Sequence, residues 1–268
     1  MEIEITKSFS PYKKLIIQEL NDLDVVVYED GLEWEKLEFE KSTTDSIGKY
    51  KSTKTPMRNK QYRIQAKSES YTMAKSATSI PHSVIISEKN AKQTDWGGEE
   101  NINSKRYNFS FTLNDLSTSD YYYFTLAFPI HKLDPVTNKF NFYAFQYAEI
   151  LTGELPNSQL YLRNGLLFND EAFNGENYII QGTATTYSFP SLPDFNDKSS
   201  YELDTTNLYL QVHHLSKELY LFYSSHARKL LNDDDLYAES TPIFTNIENG
   251  FGIFGGENIT KSKIKITQ

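Results

Sequence analysis

Three stretches in the middle of the chain constrain its fold most: "RYNFSFTL" from Arg106, "YYYFTLAFPI" from Tyr121 and "KFNFYAFQYAEI" from Lys139. Large apolar side chains recur at every second position, the period of a strand and not of a helix. In the second stretch Tyr122, Phe124, Leu126 and Phe128 share one face, which predicts the core side of a buried strand. The third is different, because both of its faces carry aromatics. Such a strand is buried on both sides, or its outer face is covered by another element or a partner. Phe140, Phe142, Tyr143, Phe145 and Tyr147 are therefore the candidate partner or ligand surface, since stacked aromatics serve both sugars and protein interfaces. The chain as a whole favours strands, with 19 Tyr and 17 Phe against 3 Met and no Cys.

Before these stretches lie short segments separated by turn signals. "EIEITKSF" alternates, and "DVVVYEDGLEWEKLEF" holds two strands around Asp30-Gly31, a dipeptide that tolerates positive φ and favours a hairpin. Leu32, Trp34, Leu37 and Phe39 read as inward positions with an irregularity between the pairs. In "QYRIQAKS" Tyr62, Ile64 and Ala66 share a face. Some seven short strands without a helix over residues 1–90 predict an immunoglobulin- or transthyretin-like sandwich. "SEKNAKQTDWGGEENINSK" is polar and reads as a linker or long loop. Residues 91–268 then form a larger acidic β-domain, a sandwich or barrel, that includes "YIIQGTATTYSF" and "NLYLQVHHL". One helix is expected near 216–231. There Leu219, Phe222, Tyr223, Leu230 and Leu231 fall at helical spacing, Ser216 is the N-cap, and Arg228 and Lys229 suit the negative end of the helix dipole. The fold class is all-β.

Composition excludes several functions. Basic and acidic residues balance up to about residue 90, so the whole net charge of −9 lies beyond it. An acidic surface repels phosphate backbones, and no basic stripe interleaves with aromatics, so nucleic acid is not an expected partner. Without Cys there is no disulfide scaffold, thiolate metal site or Cys nucleophile. No apolar run approaches the roughly 18 residues of a spanning helix. The opening "MEIEITKSFS" begins directly in strand alternation and reads as a start placed inside a longer protein.

No catalytic constellation is visible. Gly250, Gly252 and Gly255 match G-x-G-x-x-G, but a dinucleotide site needs a helix after the third glycine and an acidic residue about 20 positions on. Only twelve residues follow Gly256, and "NITKSKIKIT" alternates as a strand. A glycine-rich turn ahead of that strand is expected instead, with Ile253 and Phe254 packed inward. His213 and His214 point to opposite faces of a strand, and His226 has no helical partner at i+4, so no zinc arrangement emerges. "NDDDLYAE" from Asn232 lacks the glycine and the alternate oxygens of a calcium loop, so a solvated loop after the helix is expected, with calcium the minor alternative. Asp170, Glu171 and Glu176 are the residues from which a glycosidase acid/base pair could be drawn, though proximity in sequence does not place them across a cleft. The reading is therefore of a protein that is not an enzyme and has neither cofactor nor metal.

Four stretches together resemble a known family. "SATSIP", "FTLNDLSTSDYYYFTL", "LLFNDEAFNGENY" and "PIFTNIENGFGIFGG" occur in the order and at the distances of a Bacteroidota family of outer-membrane lipoproteins with no assigned function. The last is the most specific. Asp170, Phe173 and Gly175 of the third stretch, and Asn246, Ile247, Gly250, Gly252, Phe254 and Gly255 of the fourth, match its signature and are expected to be structural. Asn169 stands where the family usually has Ser, and "NDLSTSDYYY" lacks its usual Pro and Gly. The resemblance implies a lipid anchor on a Cys that this sequence does not contain, an outer-membrane, cell-surface location, and genes near SusCD-like, TonB-dependent transporters. It implies an accessory role: binding a β-barrel partner of the outer membrane, or capturing a peptide or glycan. The rival is a surface hydrolase with a carboxylate-based site.

Overall fold

The computed structural model describes residues 2–3, 20–41, 49–94, 104–116, 118–153, 160–162, 164–187, 200–232 and 241–267. Contacts divide the chain into two compact units: Met1–His82 with Leu215–Asn258, and Ser83–His214 with Ile259–Gln268. The described residues are mostly strand with one helix, an all-β fold.

In the first unit β1 (Glu2–Ile3), β4 (Glu38–Glu40) and β5 (Lys49–Lys51) form a three-stranded sheet in the order β1-β5-β4. Strands β2 (Asp24–Glu29), β3 (Leu32–Lys36), β6 (Gln61–Lys67) and β7 (Ala74–Ser79) form a second in the order β3-β2-β6-β7. Asp30 and Gly31 both take positive φ (48° and 87°), which matches the twist of the β2–β3 hairpin they close. The sheets are joined by chain that leaves one for the other. After β3 ends at Lys36, Leu37 is buried and β4 pairs with β5, so the irregularity expected in "LEWEKLEF" is a strand changing sheets. Val25, Val27, Tyr62 and Ile64 from one sheet share a core with Tyr50 and Phe39 from the other. Leu32 corrects the sequence reading: beside the hairpin turn it is 77% exposed, because the turn carries it past the end of the facing layer.

Helix α1 (Lys217–Asn232) belongs to this unit. Ser216 caps it, its Oγ accepting from Leu219 N–H at 3.3 Å while its carbonyl accepts the first helical bond from Tyr220. Leu219, Tyr220, Ser224 and Ala227 are its buried face, and Leu230 and Leu231 are exposed. No helix among the described residues is long and apolar enough to cross a membrane.

The second unit is built on an eleven-stranded sheet curled into a half-barrel. Its strands are β8 (Ile85–Thr94), β9 (Ser104–Asn114), β10 (Tyr121–Asp134), β11 (Lys139–Tyr147), β12 (Glu149–Thr152), β13 (Leu160–Leu162), β14 (Gly165–Asn169), β15 (Asn177–Tyr187), β16 (Tyr201–Leu203), β17 (Asn207–Leu215) and β18 (Glu257–Thr267). The main order is β12-β15-β9-β8-β18-β17-β10-β14-β13, with β11 and β16 also paired to β10. Residues 87–94, read from composition as the start of a linker, are strand. β8 pairs with β9 on one side and in parallel with β18 on the other, and these ladders outweigh its polar composition. The even set of β10 lines the core as its alternation required, with Tyr122, Phe124, Leu126, Phe128 and Ile130 each at most 2% exposed. Tyr107, Phe109, Phe111 and Leu113 of β9 and Leu208, Leu210 and Val212 of β17 complete it.

Candidate functional site

Strand β11 leaves its aromatic side chains largely uncovered. Phe140, Phe142, Tyr143 and Tyr147 are 43%, 58%, 52% and 41% exposed, and Phe145 is half-buried. The β10–β11 ladder explains how the rings spread. Ile130 pairs with Ala144 and His131 with Phe142, so Tyr143 is the extra residue of a bulge. The bulge lets neighbouring rings take different partners. Phe142 meets Phe145 at 5.0 Å between centroids, and Phe145 meets Tyr209 at 5.3 Å. Tyr143 packs edge-on against Tyr201 at 5.4 Å. Cations sit over this surface: the Lys132 ammonium lies 5.6 Å from Tyr143 and 5.4 Å from Tyr201, and that of Lys263 lies 5.7 Å from Tyr209. The result is an aromatic edge with a lysine on each face, Phe142, Phe145 and Tyr209 with Lys263 on one and Tyr143 and Tyr201 with Lys132 on the other, on an otherwise acidic chain. Such a surface can stack on a sugar ring or accept the apolar and acidic side chains of a protein.

A second cluster is deep in the same unit. Asp115 follows β9, Asp120 precedes β10 and Asp170 follows β14. Because Tyr121 pairs with Asn169, Asp120 and Asp170 continue the same rung, and Asp170 N–H donates to the Asp120 carbonyl at 3.2 Å. The three carboxylates are 8%, 6% and 2% exposed, and each offers an oxygen within 4.8 Å of the others. The Asp115 carboxylate accepts from the Tyr122 hydroxyl and, at 2.8 Å, from Gly175 N–H. That of Asp120 accepts from Thr118 Oγ1 at 2.9 Å and lies 3.0 Å from His214 Nε2. Burial, then the nearby Asp115 and Asp120 charges, push the Asp170 carboxyl up to about 6 against the donors that oppose them. Burial and the Asp115 hydrogen bond likewise raise the Tyr122 phenol.

Of this cluster, sequence singles out Asp170 as a candidate carboxylate but not Asp115 or Asp120; it places Tyr122 only on a core face and His214 only on the strand face opposite His213. Two aspartates flank the turn that precedes β10, but only the β10–β14 pairing brings Asp170 to them. The other members of its sequence triplet diverge: Glu171 and Glu176 are exposed on the turn that Asp170 begins. Phe173, which is 5% exposed, stacks on Tyr178 at 4.4 Å, and Gly175 has a φ of 80°. His213 faces away from His214, edge-on to Tyr123 at 5.4 Å. Of the acidic run "NDDDLYAE", residues 233–239 lie outside the described residues.

The glycine-rich stretch belongs to the first unit and is held by Asn246. Its side-chain amide donates to the Phe254 carbonyl at 2.8 Å and accepts from Phe254 N–H at 3.0 Å. The loop between them carries Gly252 at a φ of 127°, and Gly252 N–H donates to Thr245 Oγ1. Ile247 packs against the core beside Gly250, and Phe254 is 8% exposed within it. A side chain at Gly255 would come within 2.7 Å of Leu219 Cβ, so this position allows the loop to approach α1 closely.

The chain belongs to the family described as domain of unknown function (DUF4249), whose model matches residues 1–263. No curated protein matches the chain.

Proposed function

We propose that the chain is a non-enzymatic accessory protein of the bacterial cell surface. It is lipid-anchored at the outer membrane in its full-length form and acts beside a SusCD-like, TonB-dependent transporter. Its role is to bind the β-barrel partner or to help capture a peptide or glycan. The location and the partner class follow from the resemblance of four sequence stretches to Bacteroidota outer-membrane lipoproteins. The observation that carries the binding role is the uncovered aromatic strand β11, with Lys132 and Lys263 over its neighbouring rings. Four large aromatics on one edge segment are more than scattered surface apolar residues, and solvent alone gives them no stabilisation.

Gentle solubilisation of native membranes and affinity capture of the full-length protein is the deciding experiment. Co-purification of a β-barrel transporter, lost in a Phe142→Ala/Tyr143→Ala variant, supports the reading. Recovery of the protein alone at full yield, together with no binding to peptide or glycan arrays, overturns it. A hydrolase needs two carboxylates, or a histidine with an acid, open to substrate. The carboxylates that gather here are buried and Glu171 and Glu176 are not among them, which favours binding over hydrolysis. Turnover of a glycan or peptide that Asp170→Asn abolishes would reverse that preference.

A further inference from the structure

Asp115, Asp120 and Asp170 present three carboxylates to one small buried volume, and their hydrogen bonds leave one atom unaccounted for. Both oxygens of Asp115 and both of Asp120 have a partner. Oδ2 of Asp170 has none, although it is fully buried and Asp170 itself is 2% exposed. A bare carboxylate oxygen in an apolar interior is costly, and two further carboxylates beside it raise that cost. The contact of His214 Nε2 in this cluster is with Asp120 Oδ1, at 3.0 Å.

We propose that Asp115, Asp120 and Asp170 form a structural site for a divalent, oxygen-coordinated cation, with calcium its natural occupant. Geometry supports the assignment. Oxygens held about 2.3–2.6 Å from one calcium ion lie no more than about 5 Å apart, and the three carboxylates meet that bound at 4.8 Å. The three carboxylates offer only oxygen, the choice of a hard cation. Magnesium is disfavoured because it keeps several waters and demands near-octahedral geometry, whereas calcium accepts an irregular set of protein oxygens. The hydrogen bonds from Tyr122, Gly175, Thr118 and His214 orient the ligands, as outer-shell partners do. Thr118 is exposed, so the route from solvent is short. The site would tie the turn after β9, the start of β10 and the turn after β14 to one ion. It is independent of the surface reading of β11.

The test uses the purified full chain, stripped with chelator and titrated with CaCl2 and, separately, MgCl2. The expected result is one calcium bound per chain by calorimetry. The thermal midpoint should rise by about 5–10 °C at a hundred-fold excess over Kd. Asp170→Asn should melt cooperatively yet lose both the binding and the shift. Terbium luminescence sensitised by the adjacent Tyr122, and displaced by calcium, gives the same answer without a variant. Absence of stoichiometric binding and of any shift in the wild-type chain overturns the site, leaving a proton or a water on Oδ2. An undiminished calcium response in Asp170→Asn overturns the ligand assignment, and tighter binding of magnesium overturns the choice of ion.

Discussion

The Tyr122 hydroxyl donates to a carboxylate with almost no access to water, so its loss leaves a buried acceptor without a partner. Tyr122→Phe should destabilise the chain by about 1–3 kcal/mol, read from urea unfolding, because the cost is desolvation of Asp115 and not lost volume. Glu35 makes a different prediction. Burial works against its ionisation, but hydrogen bonds from Ser52, Thr53 and the backbone outweigh it and hold the carboxyl at about 2. A folded-state value below the ordinary glutamate value of 4.5 means stability that is fully present above that value and lost as pH falls toward 2. Glu35→Gln should therefore be less stable than wild type at neutral pH. The gap should close as pH drops through that window, and a gap that persists at about pH 2 contradicts the assignment.

Helix α1 and strand β11 show opposite dependence on their ends and faces. Ser216 is buried and satisfies two donors, the N–H groups of Leu219 and Gly256. Ser216→Ala should cost about 1–2 kcal/mol, the upper part of the range for a lost N-cap, measured by thermal melting. Amide exchange should speed first in the opening turn of the helix. β11 spends its aromatics outward, so Phe142→Ala/Tyr143→Ala should change stability by no more than about 0.5 kcal/mol per position while removing partner or ligand binding. A large loss of stability would make those rings part of the fold instead. The helix, its cap and the Asp30-Gly31 hairpin were legible in sequence because each is settled by contacts within a few residues. The bulge that separates Phe142 from Tyr143 was not, because it is defined only by the partner strand.

For the whole molecule, the last strand holds a central place. β18 lies between β8 and β17, with Ile264 3% exposed in the core of the large sheet. Ile264→Asp puts an unpaired charge there and should cost more than about 3 kcal/mol, seen as loss of cooperative unfolding and rapid proteolysis of the second unit. Sequence alone determined the β class, the core face of β10, the helix and its cap, since period and local chemistry carry that information. It also marked Asp170, Phe173, Gly175 and the Asn246–Gly255 stretch as distinctive without saying what they do. Tertiary structure decided that residues 215–258 pack with the N-terminal strands while 259–268 belong to the larger sheet. It also turned a polar "linker" into β8 and gathered Asp115, Asp120 and Asp170 around one rung of β10 and β14. The physical reason is common to all three. Strand pairing joins residues tens of positions apart, and neither the neighbour across a ladder nor the charge it brings is written in the local pattern.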